Sequence, residues 1–256
     1  MSRATLTDAI VLLGGAGGVG RDIAAELLKA GHTVIAVGRN AEHLKQLAQH
    51  VGSSRKLIPL KGSVGTDAEA AKLVADLNAL RHRPIAVVAT LCGGERPSAR
   101  LLEKPASFLV DAFDEDVTPH FIAAKHLLPM LSEAHPGGLY LILTGPGAQC
   151  AWAGYGHRSV AAAALSMLSR VIREEVKELP VRVQQLQVAS PVRTERNKEC
   201  ACPEWLTAAD VGRAVVELVA GGKVGEPVVQ LGGYSGQHAT RSPALFAGRD
   251  LERSDS

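Results

Sequence analysis

The chain predicts an α/β fold: a doubly wound parallel sheet of seven strands with helices on both faces. Three observations carry that prediction. Short apolar, β-branched runs alternate with helical patterns along nearly the whole length, as a parallel sheet covered on both faces requires. The first such run leads straight into a string of glycines that opens a helix. No repeat recurs in the 256 residues and no linker rich in Pro, Gly or Ser divides them, so a single domain over 1–234 is expected, with a mobile polar tail at 235–256.

In chain order the strand candidates are AIVLL at 9–13, TVIAV at 33–37, LIPL at 57–60, IAVVA at 85–89, LYLIL at 139–143, VQQLQV at 183–188 and PVVQL at 227–231. Between the first two, Ile23, Ala24, Leu27 and Leu28 keep helical spacing up to Gly31, which is placed as a C-terminal stop. Asn40 suits the N-cap of the next helix. Thr66 with Glu69 reads as a capping box before Leu73, Val74 and Leu77. Thr207 with Asp210 is a version of the same signal before Val211, Ala214, Val215 and Leu218. Arg81-His82-Arg83 reads as a solvated loop.

Composition narrows the function classes. The formal charge is +2 with no long basic run, which argues against a nucleic-acid partner. No apolar stretch reaches the roughly 18 residues of a membrane span, and the five-residue run Ala9 to Leu13 is too short for a secretory signal. Cys92, Cys150, Cys200 and Cys202 show no disulfide framework, so a reduced, cytoplasmic protein is expected. Cys200-x-Cys202 lacks a second ligand pair, and no metal is expected.

The glycine string is the strongest local signal. Gly14, Gly15, Ala16, Gly17, Gly18, Val19 and Gly20 follow the first strand and run into the first helix. Glycines there let the backbone turn sharply and approach a diphosphate, while the free amides and positive end of the helix favour its charge. Eighteen residues past Gly20 lies Gly38, at the tip of the second strand, where an NAD-binding protein usually carries an acid for the ribose hydroxyls. No acid is present; Arg39 follows instead, and its guanidinium suits a 2′-phosphate. NADP(H) is therefore favoured over NAD(H).

With these motifs the chain resembles the short-chain dehydrogenase/reductase family, whose fold is Rossmann-like, over roughly residues 7 to 234. The family's Thr-Gly-x-x-x-Gly-x-Gly falls on Leu13, Gly14, Gly18, Val19 and Gly20, with only the threonine changed. The resemblance implies that Ser63-Val64 stands where the family sets Asp-Val against the adenine. It likewise puts Thr90-Leu91-Cys92-Gly93 at the family's Asn-Asn-Ala-Gly, so Thr90 and Gly93 are expected at the cofactor. FDEDVTPHFIAAKHLLPML looks like the family's long interface helix and implies Asp116 at its catalytic asparagine. Pro191-Val192-Arg193-Thr194 is retained, which implies Thr194 over the nicotinamide, with the loop 190–206, including Cys200, Cys202 and Trp205, as lid and pocket.

The family's Tyr-x-x-x-Lys pair is half present. Tyr155 matches the tyrosine by its context, AGY before a helix, but Ser159 stands four residues on, and no lysine occurs between Lys125 and Lys177. In the family the lysine lowers the tyrosine pKa from about 10. A register pinned on Leu168-Ser169-Arg170 puts Arg158 and Ala162 at the pair and also lacks the lysine. Arg158, three residues after Tyr155 on nearly the same helical face, is one candidate replacement cation, and His157, on a different face at two residues' offset, is another. The family's Ser-Ser becomes Thr144-Gly145, leaving the Thr144 hydroxyl as a carbonyl ligand. The catalytic candidates are thus Tyr155, Thr144, Asp116 and Arg158.

Three functions stay open: an NADP(H)-dependent oxidoreductase acting on a carbonyl or alcohol of a small-molecule substrate through an altered proton relay, a redox-silent cofactor-binding protein, and an enzyme of non-redox chemistry such as a cyclase, dehydratase or isomerase. The resemblance also implies a homodimer or homotetramer, joined through the helices around Asp116 to Leu131 and Gly156 to Glu178.

Overall fold

The first strand, β1 (Thr7–Leu13), is apolar from Ala9 onward because both of its faces are covered. The computed structural model describes residues 6–92, 96–199 and 201–233. Within them the strands continue as β2 (Thr33–Gly38), β3 (Leu57–Lys61), β4 (His82–Ala89), β5 (Gly138–Thr144), β6 (Val181–Val188), β7 (Val192–Arg193), β8 (Leu206–Thr207) and β9 (Val228–Leu231). The helices are α1 (Gly18–Lys29), α2 (Ala41–His50), α3 (Asp67–Ala79), α4 (Ala106–Asp116), α5 (Thr118–Ala134), α6 (Gly156–Glu175) and α7 (Ala208–Val219).

Seven strands form one sheet in the order β3-β2-β1-β4-β5-β6-β9, parallel at every pairing. Alternate residues of β1 serve opposite cores. Val11 and Leu13 pack with Leu73, Leu127 and Leu165 of α3, α5 and α6. Ile10 and Leu12 pack with Ile23, Leu27, Leu44 and Val211 of α1, α2 and α7. The chain winds first to one side of β1 and then to the other, so β1, between β2 and β4, is the switch point of the sheet.

Several local predictions hold in detail. At the end of α1, Gly31 takes φ +90°, its N–H donates to Leu28 O, and His32 N–H donates to Leu27 O, which together make a Schellman stop. Asn40 caps α2, accepting from Glu42 N at 2.8 Å. Thr207 and Asp210 complete a reciprocal capping box on α7. Thr66 does only half of this: its hydroxyl caps α3, but the Glu69 carboxylate turns away to accept from Ser63 Oγ at 2.8 Å.

Three expectations change. Of the supposed solvated loop, only Arg81 is a turn residue, at φ +54°; His82 and Arg83 open β4, and Arg83 pairs with Asp8 on β1 at 2.6 Å. Beside them Pro84, which lacks an N–H, sits opposite Ala9, and the register shifts there so that Ile10 meets Ala86. The single long helix over 113–131 is broken at Val117 (φ −117°), leaving Asp116 at the end of α4. Pro119 is the cause, since its ring clashes with the carbonyl four residues back and cannot continue α4. Finally, the loop 190–206 is closed at its base by a two-stranded parallel sheet pairing Val192 with Leu206 and Arg193 with Thr207. Gly93, Cys200 and the tail 235–256 lie outside the described residues.

Candidate active site

The C-terminal end of β1 is built from backbone alone. Gly14 turns the chain at φ +77°, its N–H donating to Val37 O at 3.2 Å, and Gly17 N–H donates back to Gly14 O at 2.9 Å. A Cβ on Gly14 would lie 2.7 Å from Thr90 O, and one on Gly20 would run into Gly14 O. These two glycines are therefore demanded by packing as well as by any ligand. Gly15 lies close to Ala36, and Ala16 is buried. Gly18 differs: a Cβ there would meet only Thr194, at 3.6 Å, so the fold brings Thr194 to the mouth of the turn. Thr194 is held in place by Asn197, whose Oδ1 accepts from its N–H at 2.7 Å.

The start of α1 is uncapped. Gly17 at the N-cap has no side chain, no acid stands in the first turn, and the amides of Gly18, Val19 and Gly20 have no intrahelical partner. Helices α2, α3 and α7 receive a side-chain cap and α4, α5 and α6 do not; α1 is set apart by the glycines around its bare amides. This cradle, closed to a Cβ and open to an acceptor, fits a diphosphate.

Around it, Arg39 follows β2 directly as an exposed side chain that takes part in no ion pair among the described residues. The Asn40 side chain is occupied as a cap. Val64 belongs to the core, and Ser63 is tied to Glu69 and to Gly65 N–H. Thr90 stitches the tip of β4 to that of β1, both its hydroxyl (2.9 Å) and its N–H (3.0 Å) donating to Leu13 O.

The tips of β4 and β5 and the head of α6 gather the proposed catalytic groups. Tyr155, 6% exposed, is the N-cap of α6. Ser159, at the position expected of a lysine, is also buried: its hydroxyl donates to Cys150 O at 3.0 Å and accepts from Trp152 N–H at 3.2 Å. It closes the connection from β5 instead of facing a ligand. Thr144 is likewise buried, its hydroxyl accepting from Gln185 Nε2 at 2.8 Å while Gln185 Oε1 accepts from Ser169 at 2.7 Å. This network pins α6 to β6. At Gly145, by contrast, a Cβ would meet nothing within 4 Å.

Arg158 reaches the tip of β4, with Nη1 3.7 Å from Cys92 Sγ. Desolvation first, and then the Asp116 carboxylate, raise the Cys92 thiol pKa, with Arg158 opposing them. Asp116 also acts on two buried histidines. His120 donates from Nε2 to Leu91 O at 2.9 Å, and its burial pushes its pKa down to about 4 against the pull of that bond and of Asp116. The His157 pKa is lowered by burial and then by Arg158.

Tyr155, Arg158 and Asp116 thus share one end of the sheet with the glycine turn, while Thr144 faces the β6 network. Sequence reasoning passed over His120, Cys92 and Gln185. An imidazole just ahead of the apolar run Phe121 to Ala124 was the signal available for the first. Among the described residues, no group of three or more His, Cys, Asp and Glu is placed to hold a metal, and no helix is long and apolar enough to cross a membrane.

A family model for short chain dehydrogenases matches residues 8–203. The chain is similar to YciK, an uncharacterized oxidoreductase of Escherichia coli (strain K12), at 27% identity over 148 residues, which are 56% of this chain and 59% of that protein. That likeness spans less than two thirds of the relative's length. Among solved structures it resembles a short-chain type dehydrogenase/reductase from Mycobacterium ulcerans, with TM-score 0.75 and 21% identity over 89% of this chain and 90% of the other. It also resembles RhlG of Pseudomonas aeruginosa, solved as an NADP active-site complex, with TM-score 0.75 and 22% identity over 89% and 96% of the two chains.

Proposed function

Since the chain belongs to the short-chain dehydrogenase family, we propose that it is an NADP(H)-dependent oxidoreductase, acting on the carbonyl or alcohol of a small or medium-sized substrate through an altered proton relay. The observation that carries this reading is the glycine turn Gly14 to Gly20 at the tip of β1, which leaves the first amides of α1 without a side-chain cap beside the switch point of the sheet. NADP(H), when bound, supplies or accepts the hydride. The turn Gly14 to Gly20 holds the diphosphate, Arg39 the 2′-phosphate, and Thr194 the nicotinamide end. Tyr155 exchanges a proton with the substrate oxygen, Arg158 supplies the fixed positive charge that a lysine would have given, and Asp116 carries part of the proton traffic. Arg158 cannot itself move protons at ordinary pH.

The tied hydroxyl of Ser159 favours a second reading, a redox-silent protein that binds the dinucleotide without turning it over. Fluorescence titration with NADPH and NADH, followed by NADPH oxidation over a panel of ketones, aldehydes and quinones, separates the two. The expected result is NADPH bound about tenfold more tightly than NADH, a preference erased in Arg39→Ala, with turnover of at least one carbonyl. Binding without turnover selects the second reading, and binding of neither cofactor overturns both.

Assembly as a homodimer or homotetramer belongs to the same proposal. Val160, Met167 and Val171 leave apolar side chains exposed along one face of α6, and Phe121 does so on α5. Sedimentation equilibrium checks it, with a monomer at micromolar concentration as the contrary result.

A further inference from the structure

The head of α6 lies against residues 96–104, ahead of α4. Ala99 N–H donates to Gly154 O at 2.7 Å, and the Ser98 hydroxyl donates to the same oxygen at 3.3 Å. Leu101 rests on Gly156, where a Cβ would lie 2.7 Å from its Cδ1. Arg96 is tied to Glu115 at 2.8 Å and sits over the Phe108 ring, which Lys104 also approaches. One apolar side chain, two hydrogen bonds to a single carbonyl, one ion pair and two cation–ring contacts hold residues 96–104, none of which is fully buried, and this is a light attachment.

His157 follows Gly156 and lies against the same Phe108 ring that Arg96 and Lys104 of this segment approach. Its ring packs edge-on against Phe108 at 5.1 Å and tilted against Tyr155 at 6.4 Å, with no accessible surface. Neither ring nitrogen has a hydrogen-bond partner among the described residues. A neutral imidazole always carries one donor and one acceptor, and leaving both buried and unmet destabilises the fold where a leucine would not. A partner that arrives when residues 96–104 move explains why the imidazole is there.

We propose that residues 96–104 form a lid over the head of α6, and that His157 beneath it binds the oxygen of a hydroxyl- or carbonyl-bearing substrate. The chemistry suits both members of that pair: the ring N–H donates to a carbonyl, and the N–H and bare nitrogen together meet a hydroxyl. Burial first, then Arg158, with Arg96 a smaller contribution, keep the ring neutral against the pull of Asp116. The contact of Arg158 with Cys92 sets the head of α6 beside the tip of β4, at the end of the sheet where the glycine turn opens. The substrate class rests on the oxidoreductase reading; the lid does not.

Two measurements on the full chain test this. Diethyl pyrocarbonate, which acylates neutral imidazole, is followed residue by residue with peptide mass spectrometry. His157 is expected to react at least about tenfold faster than the protein unfolds globally, and faster again in Leu101→Ala, while His120 stays protected. Reaction of His157 no faster than unfolding in both proteins overturns the lid. The variant His157→Leu is then expected to raise Tm by about 3 °C, to leave the Kd for NADPH unchanged, and to lower kcat/KM about tenfold for a carbonyl that the unsubstituted protein reduces. Unchanged turnover in that variant overturns the binding role. An unsubstituted protein that binds NADPH and reduces no carbonyl overturns the oxidoreductase reading and the substrate class with it, and the labelling alone then decides the lid.

Discussion

At the glycine turn the first amides of α1 meet no side chain, whereas at the head of α6 the hydroxyls of Thr144 and Ser159 are both taken up inside the protein, one by Gln185 and the other by the Cys150–Trp152 loop. Both regions lie at the same end of one sheet. The first spends the N–H groups of Gly14 and Gly17 on shaping the turn and leaves the opening amides of α1 without a side-chain cap. The second has spent most of its capacity on holding α6 in place, and His157 is the exception. A crevice whose donors are main-chain amides survives side-chain substitution, whereas a constellation of side chains is easily converted to structural use.

The largest effect expected from breaking this contrast is that of Gly20→Ala. The added methyl meets the Gly14 carbonyl, a backbone atom with no rotamer to yield, so the turn must deform. A loss of about 3 kcal/mol in stability and about a hundredfold in NADPH affinity is expected, read by urea unfolding and fluorescence titration. Gly145→Ser is the control. Its Cβ enters open space, and both quantities should stay as they are; a loss equal to that of Gly20→Ala would erase the distinction.

Acid should have the next largest effect, through the histidine that ties α5 to the chain just past β4. The His120 pKa is depressed from 6.5 in the unfolded chain to about 4 in the fold, so its neutral form is favoured in the native state. Its contribution is fully present above pH 6.5 and is lost progressively as pH falls toward 4, up to about 3 kcal/mol. His157 and His32, whose pKa values are also lowered by burial, add in the same direction. Urea unfolding at pH 7, 6 and 5 should show stability falling with pH, and His120→Met should flatten the slope. A slope of equal size in that variant would assign the acid sensitivity elsewhere.

The smallest effect concerns the serine that stands in the lysine's place. Ser159→Ala removes one acceptor and one donor and leaves Trp152 N–H and Cys150 O unmet, at a cost of about 1 kcal/mol. The midpoint of urea unfolding measures it. No change would show that solvent replaces both bonds and that Ser159 is not part of the loop's attachment.

Legibility in the sequence followed the range of the interaction. The strands of the main sheet, the Gly31 stop, the Asn40 cap and the Thr207–Asp210 box rest on neighbours within a few residues, and each is where its local pattern puts it. The box at Thr66–Glu69 carries the same local pattern and is only half formed, because Ser63 competes for the carboxylate across the β3–α3 turn. The long helix over 113–131 was misread for a local reason in plain view, Pro119. Helical spacing puts His157 on a different face from Tyr155 and says nothing of what covers it; the fold packs its ring against Phe108 and Tyr155.

By itself the sequence determined the alternation of strand and helix, and with it a parallel sheet covered on both faces; it also determined that a glycine-rich turn opens the first helix. These follow from apolar periodicity and from glycine, both properties of the chain taken a few residues at a time. Only the tertiary structure decided that Ser159 and Thr144 face inward, that Thr194 reaches the mouth of the turn from far along the chain, and that a lightly held segment after β4 lies over an imidazole with no partner. Those outcomes depend on which distant surfaces meet, and the free energy of such a meeting is spread over residues that no local window contains.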